Sequence, residues 1–378
     1  MKNKDLKEKI EAVNWDFIEA NGSNSVNSIH PYPAKFIAEI PKKIIEIFPL
    51  EGNLGILDPF CGSGTTLSVA QDNNIPSVGI DLNPIACLIS KVKTQSLPAY
   101  FIQCIDIVIN EAKNNESTDI RAKIQNIDHW FKLDVQIALD SLIYEINKIE
   151  DVRCREALRL AFSSIVVRVS NQESDTRYAA IENNICKEDV YRLFRNSCNK
   201  IYSYLNSEVF SPEIEAQIIN QDILKLNIED INFKIGMVIT SPPYPNAYEY
   251  WLYHKFRISW LGFDPKDVKE NEIGTRSRYF KKNHETIEDF LGQMRIIYKK
   301  LKEIVVPGGL ICIIVGRSRI HGVEYDNGEL LKKLAEEENL EYVTTVTRVI
   351  NSKRKSFNLK HAKIKDETLL FLKIKEEL

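Results

Sequence analysis

The chain has 378 residues, 44% of them hydrophobic and 27% charged, with a formal net charge of -3. That is enough for one elaborated domain or two ordinary ones, and it argues against a protein coated in positive charge, although nucleic-acid binding needs only one basic face. No apolar stretch reaches the roughly 18 residues of a membrane span and the N-terminus is polar with a helical period, so a cytoplasmic protein without a membrane partner is expected.

After the polar helical start comes "HPYPAKF" at 30–36, and then "LGILD" at 54–58, short and aliphatic as a buried parallel strand is. A glycine-rich turn and a helical pattern at 65–72 follow, then a second strand, "PSVGID", at 76–81. From about 88 to 215 the character changes: glycine nearly vanishes, and "DVQIALDSLIYEINKI" and "CREALRLAFSSIVVRV" have helical periods. Strand patterns return with "GMVITS" (236–241) and "GGLICIIVG" (308–316), helical ones lie at 285–304 and 328–337, and "YVTTVTRVI" with "ETLLFLKI" completes the chain as an antiparallel pair. Strands alternating with helices predict an α/β fold with an open, doubly wound sheet, an antiparallel edge and a mostly helical insertion. Seven cysteines stand singly, with no C-x-x-C pair and no histidine at ligand spacing, so neither a metal nor a disulfide framework is expected.

Chemistry concentrates in two turns. In "ILDPFCGSGTT", Asp58, Pro59, Phe60, Gly62, Ser63, Gly64 and Thr65 lie between a strand and a helix. Glycines there let the backbone approach a ligand, and the helix N-terminus offers N–H groups to an anionic part of it. Asp81 ends the next strand, about 19 residues beyond Gly62, the spacing at which a carboxylate takes the hydroxyls of a ribose. The pair describes a nucleoside-bearing cofactor, though a lone G-x-G also serves as a plain turn. A nicotinamide or flavin site wants a third glycine where Leu67 stands, and no Gly-Lys-Ser/Thr follows for a phosphate loop. The other turn is "TSPPY", where Pro242 and Pro243 fix two φ angles and remove two donors at the end of a buried strand, as a stiff strand-ending turn also does.

"DPFCGSGTT" resembles the S-adenosylmethionine loop of class I methyltransferases, and "TSPPY" resembles the catalytic motif of the DNA amino-methyltransferases, in the serine form typical of cytosine-N4 enzymes. "HPYPAKF" is similar to the cofactor motif that precedes the glycine loop in that family. The resemblance covers residues 30 to 90 and 216 to 378. It implies a class I methyltransferase fold with an N-terminal segment and cofactor-binding half at 1–88, a helical insertion at 89–215 that is a candidate for target recognition, and a catalytic half at 216–378.

It further implies that Ser241 Oγ and the Pro242 carbonyl, held rigid by Pro243, accept the protons of an exocyclic amine, and that Tyr244 stacks on a base flipped from double-stranded DNA. Lys35 and Phe36 would contact the methionine part of the cofactor, and Asp222 its adenine, although Asp222 also reads as a polar strand end. Cys61 reads as loop filling, because no Pro-Cys dipeptide of the carbon-5 cytosine enzymes occurs. The expected activity is site-specific transfer to cytosine N4. Adenine-N6 transfer, RNA guanine-N2 transfer and a DNA-binding module without turnover remain alternatives. A cognate restriction endonuclease is an implied partner, and the oligomeric state stays open.

Candidates for nucleic-acid contact are the basic run Lys353, Arg354, Lys355, Lys360, Lys363 and Lys365 around Phe357 and His361, and a second cluster of Arg276, Arg278, Lys281 and Lys282. In the insertion, Asn171, Gln172, Asp175, Arg177 and Tyr178 interrupt a helical period. They are either a loop between helices or side chains for reading base edges.

Overall fold

The computed structural model describes residues 3–18, 29–33, 36–175, 177–207, 214–245, 248–280, 285–350 and 365–376. Seven strands form one sheet: β1 (Gly55–Asp58), β2 (Ser77–Asp81), β3 (Gln217–Asn220), β4 (Ile235–Thr240), β5 (Val305–Gly316), β6 (Glu341–Ile350) and β7 (Lys365–Lys373). Their spatial order is β3-β2-β1-β4-β5-β7-β6. The first five are parallel, and β7 runs antiparallel to both neighbours. This is the open, doubly wound, mostly parallel sheet with an antiparallel edge that the alternation of elements predicts. The strand the alternation did not single out is β3, whose "QIIN" is too short and too exposed at the sheet edge to leave a strong pattern.

Both faces of the sheet are covered, so the central strands read as continuous apolar runs while their side chains still alternate. In β4, Val238 joins a core with helices Ile287–Ile304 and Asn327–Glu337. Its neighbours Met237 and Ile239 point the other way, into a core built with helices Asn3–Glu11, Glu39–Ile47 and Thr65–Asp72.

A third core belongs to the segment between β2 and β3. It joins helices Phe101–Asn114, Leu133–Asn147, Val152–Val166 and Lys187–Leu205 to helix Pro84–Lys93 and to Phe256, Ile258 and Trp260, which follow β4. Polar fastenings reinforce the junction. Lys91 pairs with Glu156 at 2.7 Å, and His30 Nε2 meets Ser163 Oγ at 2.9 Å. Arg257, fully buried, donates from Nε to the Ser163 carbonyl at 3.1 Å and pairs with Asp175. Asp175 lies in a short antiparallel hairpin region, with strands Gln172–Ser174 and Arg177–Ala180, where the sequence offered a loop.

Among the described residues no helix is long and apolar enough to cross a membrane, and no cluster of histidine, cysteine and carboxylate side chains could hold a metal ion.

Candidate active site

In a doubly wound sheet, ligands bind beyond the carboxyl ends of the strands where the order reverses, here between β1 and β4. A cleft opens there. Its wall holds Phe36, Pro59, Phe60, Gly62, Ser63 and Thr65 from the N-terminal half, Asp81 from β2, Asp222 after β3, and Ser241 with Pro243 after β4. Phe36 and Pro243, 207 positions apart in sequence, thus face one space.

The glycine loop leaves β1 at Asp58, turns through Gly64 at φ +74°, and starts helix Thr65–Asp72. A side chain at Gly64 would meet Ser90 Cα at 3.1 Å, so the position needs glycine both for its left-handed backbone and for space. Helix Pro84–Lys93 grips the loop from behind: Ser90 Oγ donates to the Gly62 carbonyl at 3.0 Å and buried Lys93 Nζ to the Ser63 carbonyl at 2.7 Å. Asp81 completes the frame, accepting Gly62 N–H at 2.9 Å and Asn83 N–H at 2.8 Å. Burial raises its carboxyl to about 6, while those two N–H donors pull it down. Cys61 is buried and its thiol is pushed well above the ordinary range, so it serves as packing and not as a nucleophile.

Asp58 and Gly64 stand behind the cleft wall. The Asp58 carboxylate accepts the Thr240 hydroxyl at 2.7 Å and Phe60 N–H at 3.2 Å, and burial raises it to about 6. Through Thr240, the residue next to Ser241, the glycine loop and the Ser-Pro-Pro-Tyr turn are fastened together. Asp222 Oδ1 accepts Leu224 N–H at 3.0 Å and so fixes the turn after β3 while also lining the cleft. Pro242 is buried beneath the turn. Tyr244 lies off the cleft wall, with its hydroxyl against Gly316 at the end of β5, where an added Cβ would come within 2.7 Å. Burial raises that phenol to about 12. Lys35 lies outside the described residues.

Several wall residues were not singled out in the sequence. Tyr32 and Tyr250 stack with centroids 5.8 Å apart, and Tyr32 also stacks on His254 at 5.3 Å. Glu272 is buried and accepts the N–H groups of Tyr250 at 2.8 Å and Trp251 at 3.0 Å. Burial lifts its carboxyl from 4.5 to about 8 against the pull of those donors. Val268, Asn271 and Ile273 complete that side. Tyr32 stands in the quoted "HPYPAKF", but "NEIGT" around Glu272 carries no spacing that marks chemistry.

The nucleic-acid candidates are placed less completely. Lys281, Lys282 and the run from Lys353 to Lys363 lie outside the described residues, as does the Lys365 side chain. Arg278 pairs with Glu285 at 2.8 Å, and exposed Arg276 stacks 4.9 Å over the exposed ring of Phe280. In the insertion, Asn171 Nδ2 donates to the His129 carbonyl at 3.1 Å and Gln172 Nε2 to the Ser174 carbonyl at 2.6 Å, so both are engaged in holding the hairpin.

The DNA methylase family model matches residues 1–92. The chain is 27% identical over 281 residues to the type II methyltransferase M.MvaI of Kocuria varians, covering 68% of this chain and 62% of that one. It is 24% identical over 298 residues to the type II methyltransferase M.BsoBI of Geobacillus stearothermophilus, covering 70% and 58%. A third match, 33% identical over 153 residues, is the type II methyltransferase M.MjaII of Methanocaldococcus jannaschii, covering 39% and 27%. The chain thus spans less than two thirds of each of these relatives' length.

The residues present fit S-adenosylmethionine, the cofactor of that family. Asp81 offers a carboxylate for ribose hydroxyls, Phe60, Ile223, Val268 and Ile273 offer apolar surface for a purine, and the Tyr32 and Tyr250 rings suit a sulfonium cation. The family match, the relatives and a cleft shared by both motifs make the chain similar to the DNA amino-methyltransferases and support that family for it.

Proposed function

We propose that the chain methylates the exocyclic N4 of cytosine within a short site in double-stranded DNA, taking the base out of the duplex to do so. One observation carries the reading: Ser241 and Pro243 line the same cleft as the glycine loop and Asp81. Bound S-adenosylmethionine supplies an electrophilic methyl group on a positively charged sulfur. The chain's part is to make a poor nucleophile reactive. An exocyclic amine delocalises its lone pair into the ring, and acceptors that hold its protons favour a pyramidal nitrogen whose lone pair points at the methyl carbon. Ser241 Oγ and the Pro242 carbonyl are those acceptors. Transfer to that nitrogen would release S-adenosylhomocysteine as the neutral leaving group, and the surplus proton of the amine, held at the Ser241 and Pro242 acceptors, would pass to solvent.

Tyr244 is the stacking partner of the flipped base in this reading. The rigid turn suits the chemistry because misplacement by about 1 Å can cost a hundredfold in rate. The insertion is proposed to take part in target recognition, with exposed Arg276 and the basic run near the C-terminus contacting phosphate. A cytoplasmic enzyme with a cognate endonuclease follows as an expectation of this reading.

The test is incubation with labelled S-adenosylmethionine and mixed-sequence duplex DNA, digestion to nucleosides, and mass spectrometry. N4-methylcytosine is expected. N6-methyladenine alone would move the assignment to the adenine enzymes, and label in RNA with none in DNA would move it to another class. Tyr244→Ala is expected to abolish turnover with cofactor binding retained; unchanged turnover removes the stacking role.

A further inference from the structure

Residues 272–275, Glu-Ile-Gly-Thr, touch the helix Tyr250–Tyr253 that follows the Ser-Pro-Pro-Tyr turn at one point and the turn itself at another. At one, Glu272 divides its oxygens between two donors, Oε1 accepting Tyr250 N–H at 2.8 Å and Oε2 accepting Trp251 N–H at 3.0 Å. At the other, Gly274 sits at φ +71° against the backbone of the turn itself, and a Cβ there would lie 2.9 Å from the Tyr244 carbonyl carbon and oxygen. Ile273 faces the cleft between these contacts, and Thr275 is buried behind them. Prolines fix φ at 242, 243 and 245, and Gly274 packs on the Tyr244 carbonyl between the last two of them, where no proline acts.

We propose that 272–275 is a clamp on the catalytic turn, with Glu272 and Gly274 as positioning residues that keep Ser241 and Tyr250 in the cleft wall. The proposal rests on the methyl-transfer reading above. Ionised, as it is above about pH 8, the Glu272 carboxylate meets two neighbouring N–H groups with two acceptors. Glutamine keeps one acceptor and turns a donor toward the other N–H, and alanine leaves both buried donors unpaired. The second contact is steric, and only glycine permits both its backbone angle and its closeness to Tyr244.

Gly262 supplies a matched control, because it also has a left-handed φ, +87°, but nothing within 4 Å of an added Cβ. Gly274→Ala and Gly262→Ala therefore share the backbone strain and differ in contact with the turn. Three quantities are measured on the full chain: affinity for S-adenosylhomocysteine, single-turnover methyl transfer to mixed-sequence DNA at saturating cofactor, and hydrogen exchange of the Tyr250 and Trp251 amides. Gly274→Ala is expected to lose about tenfold to a hundredfold in transfer rate with affinity within about threefold, while Gly262→Ala keeps the rate. Glu272→Ala is expected to speed exchange of both amides and slow transfer, with Glu272→Gln between it and wild type. Equal transfer rates in the two glycine variants, or unchanged exchange in Glu272→Ala, overturn the clamp. A wild-type chain that binds cofactor but methylates no DNA overturns the methyl-transfer reading instead, and the exchange measurement then decides whether the clamp exists apart from it.

Discussion

The two turns that meet in the cleft are held by different means. The glycine loop is fastened from nearby in sequence: Asp81 lies 19 residues beyond Gly62, Ser90 28 beyond it, and Lys93 30 beyond Ser63. The catalytic turn depends on remote partners. Thr240 is tied to Asp58 across 182 residues, and Gly316 of β5 seats the Tyr244 hydroxyl. The helix that follows the turn is held through Arg257 to Ser163 and Asp175 of the insertion, 94 and 82 residues away. Loss of the Arg257 fastening alone should therefore disturb the catalytic side more than the cofactor side, whose tie to the insertion runs separately through helix Pro84–Lys93 and the Lys91–Glu156 pair.

The sharpest way to break that contrast is Asp175→Ala, which leaves the Arg257 guanidinium buried without its carboxylate. Orphaning a buried ion costs about 3 to 5 kcal/mol, and because Asp175 is 30% exposed the lower end, about 3, is expected. Denaturant unfolding should show this loss, with methyl transfer reduced and cofactor affinity in the surviving folded protein nearly unchanged. An equal loss of affinity would mean that the two turns are not separately held.

Ser241→Ala comes next. By analogy with loss of one preorganised group at a reacting centre, transfer should fall about a hundredfold or more. Cofactor affinity, set mainly by the glycine-loop side, should change little in equilibrium binding. Asp81→Ala should do the reverse, weakening cofactor binding by about 1 to 3 kcal/mol as expected when a partner is removed from a buried polar contact. If Asp81→Ala spared affinity and slowed only transfer, the assignment of the two sides would be exchanged.

The smallest effects are those of pH. Ribose hydroxyls need the ionised form of Asp81, whose carboxyl in the free protein stands at about 6, so cofactor affinity should fall as pH drops below about 6, and Asp81→Asn should remove that dependence. Stability moves in the opposite sense. Glu272 has a folded value near 8 against an ordinary 4.5, so the stability it contributes is fully present below 4.5 and is lost as pH rises through about 8. Thermal midpoints on either side of pH 8 should show that loss in the wild type and a flatter profile in Glu272→Gln.

How legible each part was in the sequence follows from the same contrast. The glycine loop, its carboxylate and the central strands announce themselves because short-range backbone demands select particular residues at fixed spacing. Asp222 and Phe36, expected at the cofactor, do line the cleft. Tyr250, Glu272 and Gly274 left no comparable signal, since a buried glutamate that accepts backbone N–H groups looks in sequence like any surface glutamate. The insertion read correctly as helical, but the hairpin around Asp175 did not, because its asparagine, glutamine and aspartate are committed to intramolecular partners that no local pattern reveals. Edge strand β3 escaped notice for want of length and burial.

The central claim is that one cleft joins a cofactor loop to a turn that activates an amino group of DNA. Mass spectrometry of nucleosides from duplex DNA incubated with labelled S-adenosylmethionine and either wild type or Ser241→Ala tests it most directly. The account predicts N4-methylcytosine from the wild type and a loss of about a hundredfold in the variant; no methylated base in DNA from a cofactor-binding wild type, or equal yields from both proteins, would contradict it.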